Sequence, residues 1–238
     1  MELLNTFPAS ERFEVETRER LSTDSLDNIL ENNKIFNPNF IKLDIQGAEL
    51  EVLQGATKAL DTIACIEVEI AFSELYLGQP LFSDIDQYLR EFNFEVWDIM
   101  RGYQKLNSTI NIGSKKGKLI SGDALFFKKP SELVKKNTVL SEGDFKGLIK
   151  NSFIIAEAYG FGDYSFDLLE QSKRFYSEKE LQEFQSYFSK KQRLTTKSVL
   201  SSQRYAMGLF FASLLNKLAD KLEPYDSGCK IGDRFLGS

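Results

Sequence analysis

An α/β fold, with a mostly parallel sheet ending in an antiparallel edge strand and a helical appendage behind it, is what the order of apolar patterns along this chain predicts. Three observations carry that expectation. Phe40 to Ala56, FIKLDIQGAELEVLQGA, reads as a buried strand that turns at Gly47 into a helix. Two further strand patterns, IACIEVEIAF from Ile63 and FEVWDIM from Phe94, are separated by a helical one. From about Ser141 onward the strand pattern stops.

Each element has its own local reason. Residues 12–20, RFEVETRER, alternate Phe13, Val15 and Thr17 with charges, which suits an exposed or edge strand. A short helix from about Ser25 to Asn32 follows, with Leu26, Ile29 and Leu30 inward, and Asn37–Pro38–Asn39 punctuates the chain. Phe40, Ile41, Leu43 and Ile45 supply the next strand, and Leu50, Leu53, Ala56 and Leu60 have helical spacing to about Leu60. In the strand from Ile63 to Phe72, Ile66, Val68 and Ile70 share one face while Glu67 and Glu69 share the other.

Tyr76 to Leu81 is a loop by its Gly and Pro. Ser83 to Phe92 is a helix by Ile85, Tyr88, Leu89 and Phe92. A polar, Lys- and Gly-rich connection then leads to a short final strand, Ala124 to Phe127, closed by Pro130. Ser177–Glu178–Lys179–Glu180 has capping-box spacing and opens a helix through Leu181, Phe184, Tyr187 and Phe188. A further helix spans about Ser198 to Leu222. The domain division expected is a sheet-bearing portion over residues 1–130 and a helical extension over 141–238.

Composition narrows the function. The 238 residues suffice for one domain plus an appendage. Residues 1–130 carry 14 basic and 21 acidic side chains, and the whole chain has a formal charge of −5, neither suggesting a nucleic-acid partner. Histidine is absent from the sequence, which removes Ser–His and Cys–His pairs and the commonest metal ligand. Proton transfer must therefore use Asp, Glu, Lys, Tyr or water. Cys65 and Cys229 are too few for a disulfide framework, so no metal and a reducing, cytoplasmic setting are expected, with Cys65 packed inertly in a strand. No apolar run reaches the roughly 20 residues of a membrane span.

The candidate residues follow from position. Asp44 ends a strand, at the rim where open α/β sheets bind ligands, although an Asp there also suits capping of the next helix. Glu49 lies in the first helical turn, where the helix dipole alone favours a negative charge. Glu67 and Glu69 interrupt an apolar strand, with Glu69 nearer the rim. Tyr76 and Gln79 stand in the loop beyond it, placed to line a pocket or simply to pack. Trp97 reads as core, and Lys190, Lys191, Arg193 and Lys197 as a solvated basic face.

KLDIQGAELEVLQGA, followed by IEVEIAFSELYLGQPLFSDIDQYL, FEVWDIM and GDALFFKK, resembles the FkbM family of S-adenosylmethionine-dependent methyltransferases. The resemblance is collinear over roughly residues 12–129, with Asp44, Gly47, Glu49 and Gly55 on the family's Asp-x-x-Gly-x-Glu and Gly-Ala positions. It implies part of a class I methyltransferase (Rossmann-like) sheet and S-adenosyl-L-methionine as cofactor. The activity it implies is O-methylation of a sugar or other hydroxylated small molecule. Asp44 would then be the base or orienter, Glu49 and Glu69 its catalytic support, and Tyr76 and Gln79 part of the acceptor pocket.

The family's Gly-rich cofactor loop precedes the region that corresponds here, so no cofactor-binding residue is assigned. Three readings result: a methyltransferase acting on a small-molecule or glycan acceptor, a non-catalytic interaction module, or one half of a split enzyme. In the last two, a partner chain, self-association or the helical extension covers the exposed sheet.

Overall fold

The structure is a computed structural model that describes residues 17, 19–104 and 117–200. These form two compact units, one through Gln171 and one from Ser172. The expected edge strand over residues 12–20 lies largely outside the described residues. The middle of the Lys- and Gly-rich connection, the end of the helix expected to reach Leu222, and Cys229 also lie outside them.

The first unit opens with helix α1 (Leu26–Asn32), capped by the Ser25 side chain accepting from the Asn28 N–H. Strand β1 (Phe40–Leu43) leads through the Asp44–Gly47 turn to α2 (Glu49–Gln54) and a 3₁₀ turn (Ala59–Asp61). Gly55 ends α2 earlier than the apolar spacing suggests, and Leu60 reaches the core from the 3₁₀ turn instead. Strand β2 (Cys65–Ala71), helix α3 (Phe82–Glu91), strands β3 (Phe94–Gln104) and β4 (Lys118–Lys128), and helices α4 (Pro130–Lys135), α5 (Glu142–Ala158) and α6 (Gly162–Ser172) follow. In the second unit, Ser177 and Glu180 cap α7 (Glu178–Leu200) reciprocally, as the capping-box spacing predicts.

The sheet order is β1-β2-β4-β3. β1 pairs parallel to β2, while β4 runs antiparallel to both β2 and β3. This corrects the expected edge: the antiparallel strand lies inside the sheet, and β3 is the outer strand on that side among the described residues. β4 is also 11 residues long rather than four. Its first half, with Ser121, Gly122 and Asp123, looks like loop by composition, but ladders on both sides hold it extended. Such tertiary pairing overrides local propensity.

The two faces of the sheet differ chemically. Ile66, Val68 and Ile70 of β2 meet Leu53, Leu60, Ile85 and Leu89 in a core whose members are all essentially inaccessible. On the opposite face Trp97 packs edge-on to Phe127, Phe161 and Tyr164, with ring centroids 5.9, 5.4 and 5.1 Å away. Cys65 is buried, which pushes its thiol up and keeps it unreactive. Toward the C-terminal end of β1 and β2 this second face turns polar, with Lys42, Asp44, Glu67, Glu69 and Asp123 only partly covered. The fold thus leaves a charged half-face at the rim of the parallel pair.

Gly122 shows how tightly β3 and β4 approach. A Cβ there would lie 2.5 Å from the Met100 carbonyl oxygen, a backbone atom that cannot swing aside. Gly122→Ala is expected to cost about 1–3 kcal/mol through forced strand separation, measured as a lower urea midpoint at unchanged slope.

Candidate functional site

The rim is built by a buried acid. Glu49 is only 4% exposed, yet its carboxylate accepts from the Ile45 N–H at 3.0 Å and from the Gly47 N–H at 3.0 and 3.2 Å. Two backbone N–H groups, that of Gly47 shared between both carboxyl oxygens, offset the cost of burying this polar side chain. Glu49 therefore folds the β1–α2 turn from within, and Asp44 is left to point its carboxylate elsewhere. Its Oδ1 accepts from the Gln46 side-chain amide at 3.3 Å.

A second loop docks on this turn. Gly47 has φ +108°, and a Cβ there would meet the Tyr76 ring at 3.2 Å and the Gln79 side chain at 3.4 Å. Glycine supplies both the conformation and the space. Gln79 in turn holds its own loop, its Oε1 accepting from the Leu75 and Tyr76 N–H groups at 3.0 and 3.2 Å. The Tyr76 hydroxyl then donates to Gln46 Oε1 at 3.3 Å.

Gln46 Nε2 also donates to Glu69 Oε2 at 3.1 Å. Asp44, Glu69 and Tyr76 thus meet around one amide. Glu69 is pushed up to about 7, first by burial, then by the charges of Asp44, Glu49 and Asp123 and by a hydrogen bond with Asp44. Asp123, directly across from Glu69 on β4, is also raised, mainly by burial.

Beside this group lies an ion-paired one. Lys42 is hydrogen-bonded to Glu67, and the Tyr159 hydroxyl, at the C-terminal end of α5, donates to the other Glu67 oxygen. Burial raises Glu67, but these bonds outweigh it and leave the carboxyl below its ordinary value. Asn151 of α5 donates to the Asn39 side chain at 2.7 Å, and Tyr159 leans on Phe40, so α5 holds β1 at both contacts. Glu67 has a structural partner set, while Glu69 faces the rim.

Of the residues singled out in the sequence, the structure brings Asp44, Glu69 and Tyr76 together and places Glu49 and Gln79 beneath them as supports. Gln46, Asp123, Lys42 and Tyr159 were not anticipated. The polar face of β2 signals Asp123 and Lys42 only once register is known, and Tyr159 arrives from a distant helix. Gln46 carries no compositional signal at all. Among the described residues no group of three or more Cys, Asp or Glu is arranged to hold a metal. A cavity of about 280 Å³ between α1 and the 3₁₀ turn, lined by Leu30, Ile35, Phe36 and Lys58, lies at the other end of β1.

The comparisons with known proteins bear on the same segment. The family model described as the methyltransferase FkbM domain matches residues 4–96. The hexuronic acid methyltransferase AglP of Haloferax volcanii is 42% identical over 50 residues, which are 21% of this chain and 21% of that protein. The chain therefore matches about a fifth of that relative's length. No solved structure matches.

Glu69 gives the rim a pH signature. Its folded pKa, about 7, lies above the ordinary carboxylate value, so the folded state holds the extra proton between roughly pH 4.5 and 7 and loses stability as pH rises through that window. Glu69→Gln is expected to raise Tm by about 2–4 °C at pH 8 and to leave it unchanged at pH 5. Paired thermal melts at the two pH values check this.

Proposed function

From the match of residues 4–96 to the methyltransferase FkbM domain, we propose that the chain takes part in methyl transfer from S-adenosylmethionine to a hydroxyl group of a sugar or similar polyhydroxylated small molecule, in a cytoplasmic setting. The observation that carries this reading is the pair of carboxyl groups Asp44 and Glu69 joined through Gln46 at the rim, with Glu69 pushed up to about 7 by burial and the neighbouring acids.

The cofactor supplies an electrophilic methyl carbon. The carboxylate-rich rim suits a sulfonium cation by charge, but the β1–α2 turn carries only Gly47 and offers no glycine-rich cradle for an adenosine. No step is therefore assigned to residues holding the donor. On the acceptor side, the Asp44–Glu69 pair would take the proton of an acceptor hydroxyl, the methyl group itself being supplied by the donor. Asp44 is the more open of the two, since Glu69 is half-buried. Tyr76 orients the acceptor, and Glu49 and Gln79 hold the turn and loop in place.

A second reading is favoured by one observation. β1 is only four residues long and forms the outer strand on its side among the described residues, with one row of backbone groups open to a further strand. On that reading this segment supplies the acceptor side, and another chain or a second copy completes the sheet. No helix among the described residues is long and apolar enough to cross a membrane.

The test is methyl transfer to a panel of neutral, amino and uronic sugars, alongside calorimetric titration with S-adenosylmethionine. Asp44→Asn should lower kcat/KM by about 10²–10⁴-fold while leaving cofactor affinity unchanged, and wild-type kcat/KM should rise with pH through about 7. Cofactor binding and turnover that Asp44→Asn leaves intact would remove Asp44 from the chemistry. A folded chain that neither binds nor transfers alone directs the search to the completing partner.

A further inference from the structure

The geometry points to Gln46 as the positioning residue of the rim: its amide ties Asp44, Glu69 and Tyr76 into one hydrogen-bonded unit and so sets how the Glu69 carboxyl is held beside Asp44. This deepens the proposed acceptor-side reading, because Gln46 acts through the two carboxylates that the proposal uses.

Three observations carry it. First, Gln46 is a non-glycine residue at φ +61°, in the left-handed region that side-chain-bearing residues seldom adopt. Such an outlier persists where its surroundings impose it. Here the Glu49 carboxylate fixes the backbone on both sides, at Ile45 and Gly47, and the side chain of Gln46 is thrown back over the rim.

Second, the two carboxylates fix one orientation of the amide, and the Tyr76 hydroxyl fits it. Carboxylate oxygens only accept, so the NH₂ group faces Asp44 Oδ1 and Glu69 Oε2, and the carbonyl is left to accept the Tyr76 hydroxyl proton. A reversed amide would set oxygen against oxygen at both carboxylates. A Glu at this position would add another charge to a rim that already has too many.

Third, the pair needs a donor. Glu69 is faced by Asp44 from the end of β1, Glu49 from α2, Asp123 from β4 and Tyr76 from the following loop, with Glu67 its neighbour on β2. The nearby cation, Lys42, is engaged by Glu67, whose other oxygen is taken by Tyr159 of α5. The Gln46 amide therefore supplies N–H groups to two carboxylates that otherwise confront each other. Donation to the charged form favours ionisation, which opposes the burial and repulsion that drive Glu69 upward.

Carbon-detected NMR titration of the side-chain carboxyls in the full chain, with no donor or acceptor added, tests this. In the wild type Glu69, pushed up to about 7 by burial and its acidic neighbours, is expected to titrate there. Gln46→Met, similar in length but without polar atoms, should raise that midpoint by about one unit, a tenfold tighter hold on the proton. Tyr76→Phe removes one oxygen at the far end of the amide and should move Glu69 in the same direction by less, and it decides the matter if Gln46→Met does not fold. A Glu69 midpoint unmoved in the folded variants would overturn the assignment. The titration needs no catalysis, so a shift in a chain that transfers no methyl group would uphold the role of Gln46 independently of the transferase reading, which the methyl-transfer assay tests separately.

Discussion

The hydrogen bonds from Ile45 and Gly47 to the buried carboxylate of Glu49 are the constraint on which the rim depends. They reverse the chain within four residues of β1 and bring α2 back against the sheet. They also set Gly47 at the one conformation that lets the Tyr76–Gln79 loop close over it. With that turn in place, Asp44 and Gln46 project over the end of β2, where Glu69 is already held by strand pairing. A helix that begins at a buried acid is unusual by composition, since Asp and Glu are rarely buried without partners. Here the partners are backbone amides, so the side chain's oxygens are satisfied and the turn is specified.

The chemistry of the sheet follows from unequal cover. One face meets α2 and α3 and is uniformly apolar. The other meets α6 around Trp97, Phe127 and Tyr164, where it is aromatic, and Tyr159 at the end of α5 touches it at Phe40 and Glu67. Beyond that cover the same strands carry Lys42, Glu67, Glu69 and Asp123. Ion pairing absorbs Glu67, while Glu69 and Asp123 stay partly buried with raised proton affinity. A strand can thus be core at one end and site at the other, because alternation sends Cys65, Glu67 and Glu69 to the same side.

Much of this was legible in the residues. The apolar Phe40, Ile41 and Leu43 before Asp44, the glycine after it and the 3.6-residue spacing that follows mark a strand, turn and helix whose rim position made Asp44 a candidate. The alternation in IEVEI separated an apolar face from an acidic one and singled out Glu69. Lateral order was not legible: that β4 inserts between β2 and β3 depends on pairings far apart in sequence, and its Ser121–Gly122–Asp123 segment looks like loop until both ladders hold it. The contribution of Tyr159 was hidden for the same reason. Gln46 was hidden because nothing in a lone glutamine reveals a left-handed backbone, and Glu49 looked like a helix-dipole residue when it is the organiser of the turn.

Amide hydrogen exchange at Ile45 and Gly47 in wild type and Glu49→Gln measures that organising role directly. A glutamine keeps the size of the side chain but replaces one accepting oxygen by a donor and removes the charge. The account predicts exchange at both amides at least about tenfold faster, as the loss of about 1.4 kcal/mol of local protection requires, with β2 amides unchanged. Equal exchange at Ile45 and Gly47 in the two proteins would contradict it, and the turn would then owe its form to strand and helix packing rather than to the buried carboxylate.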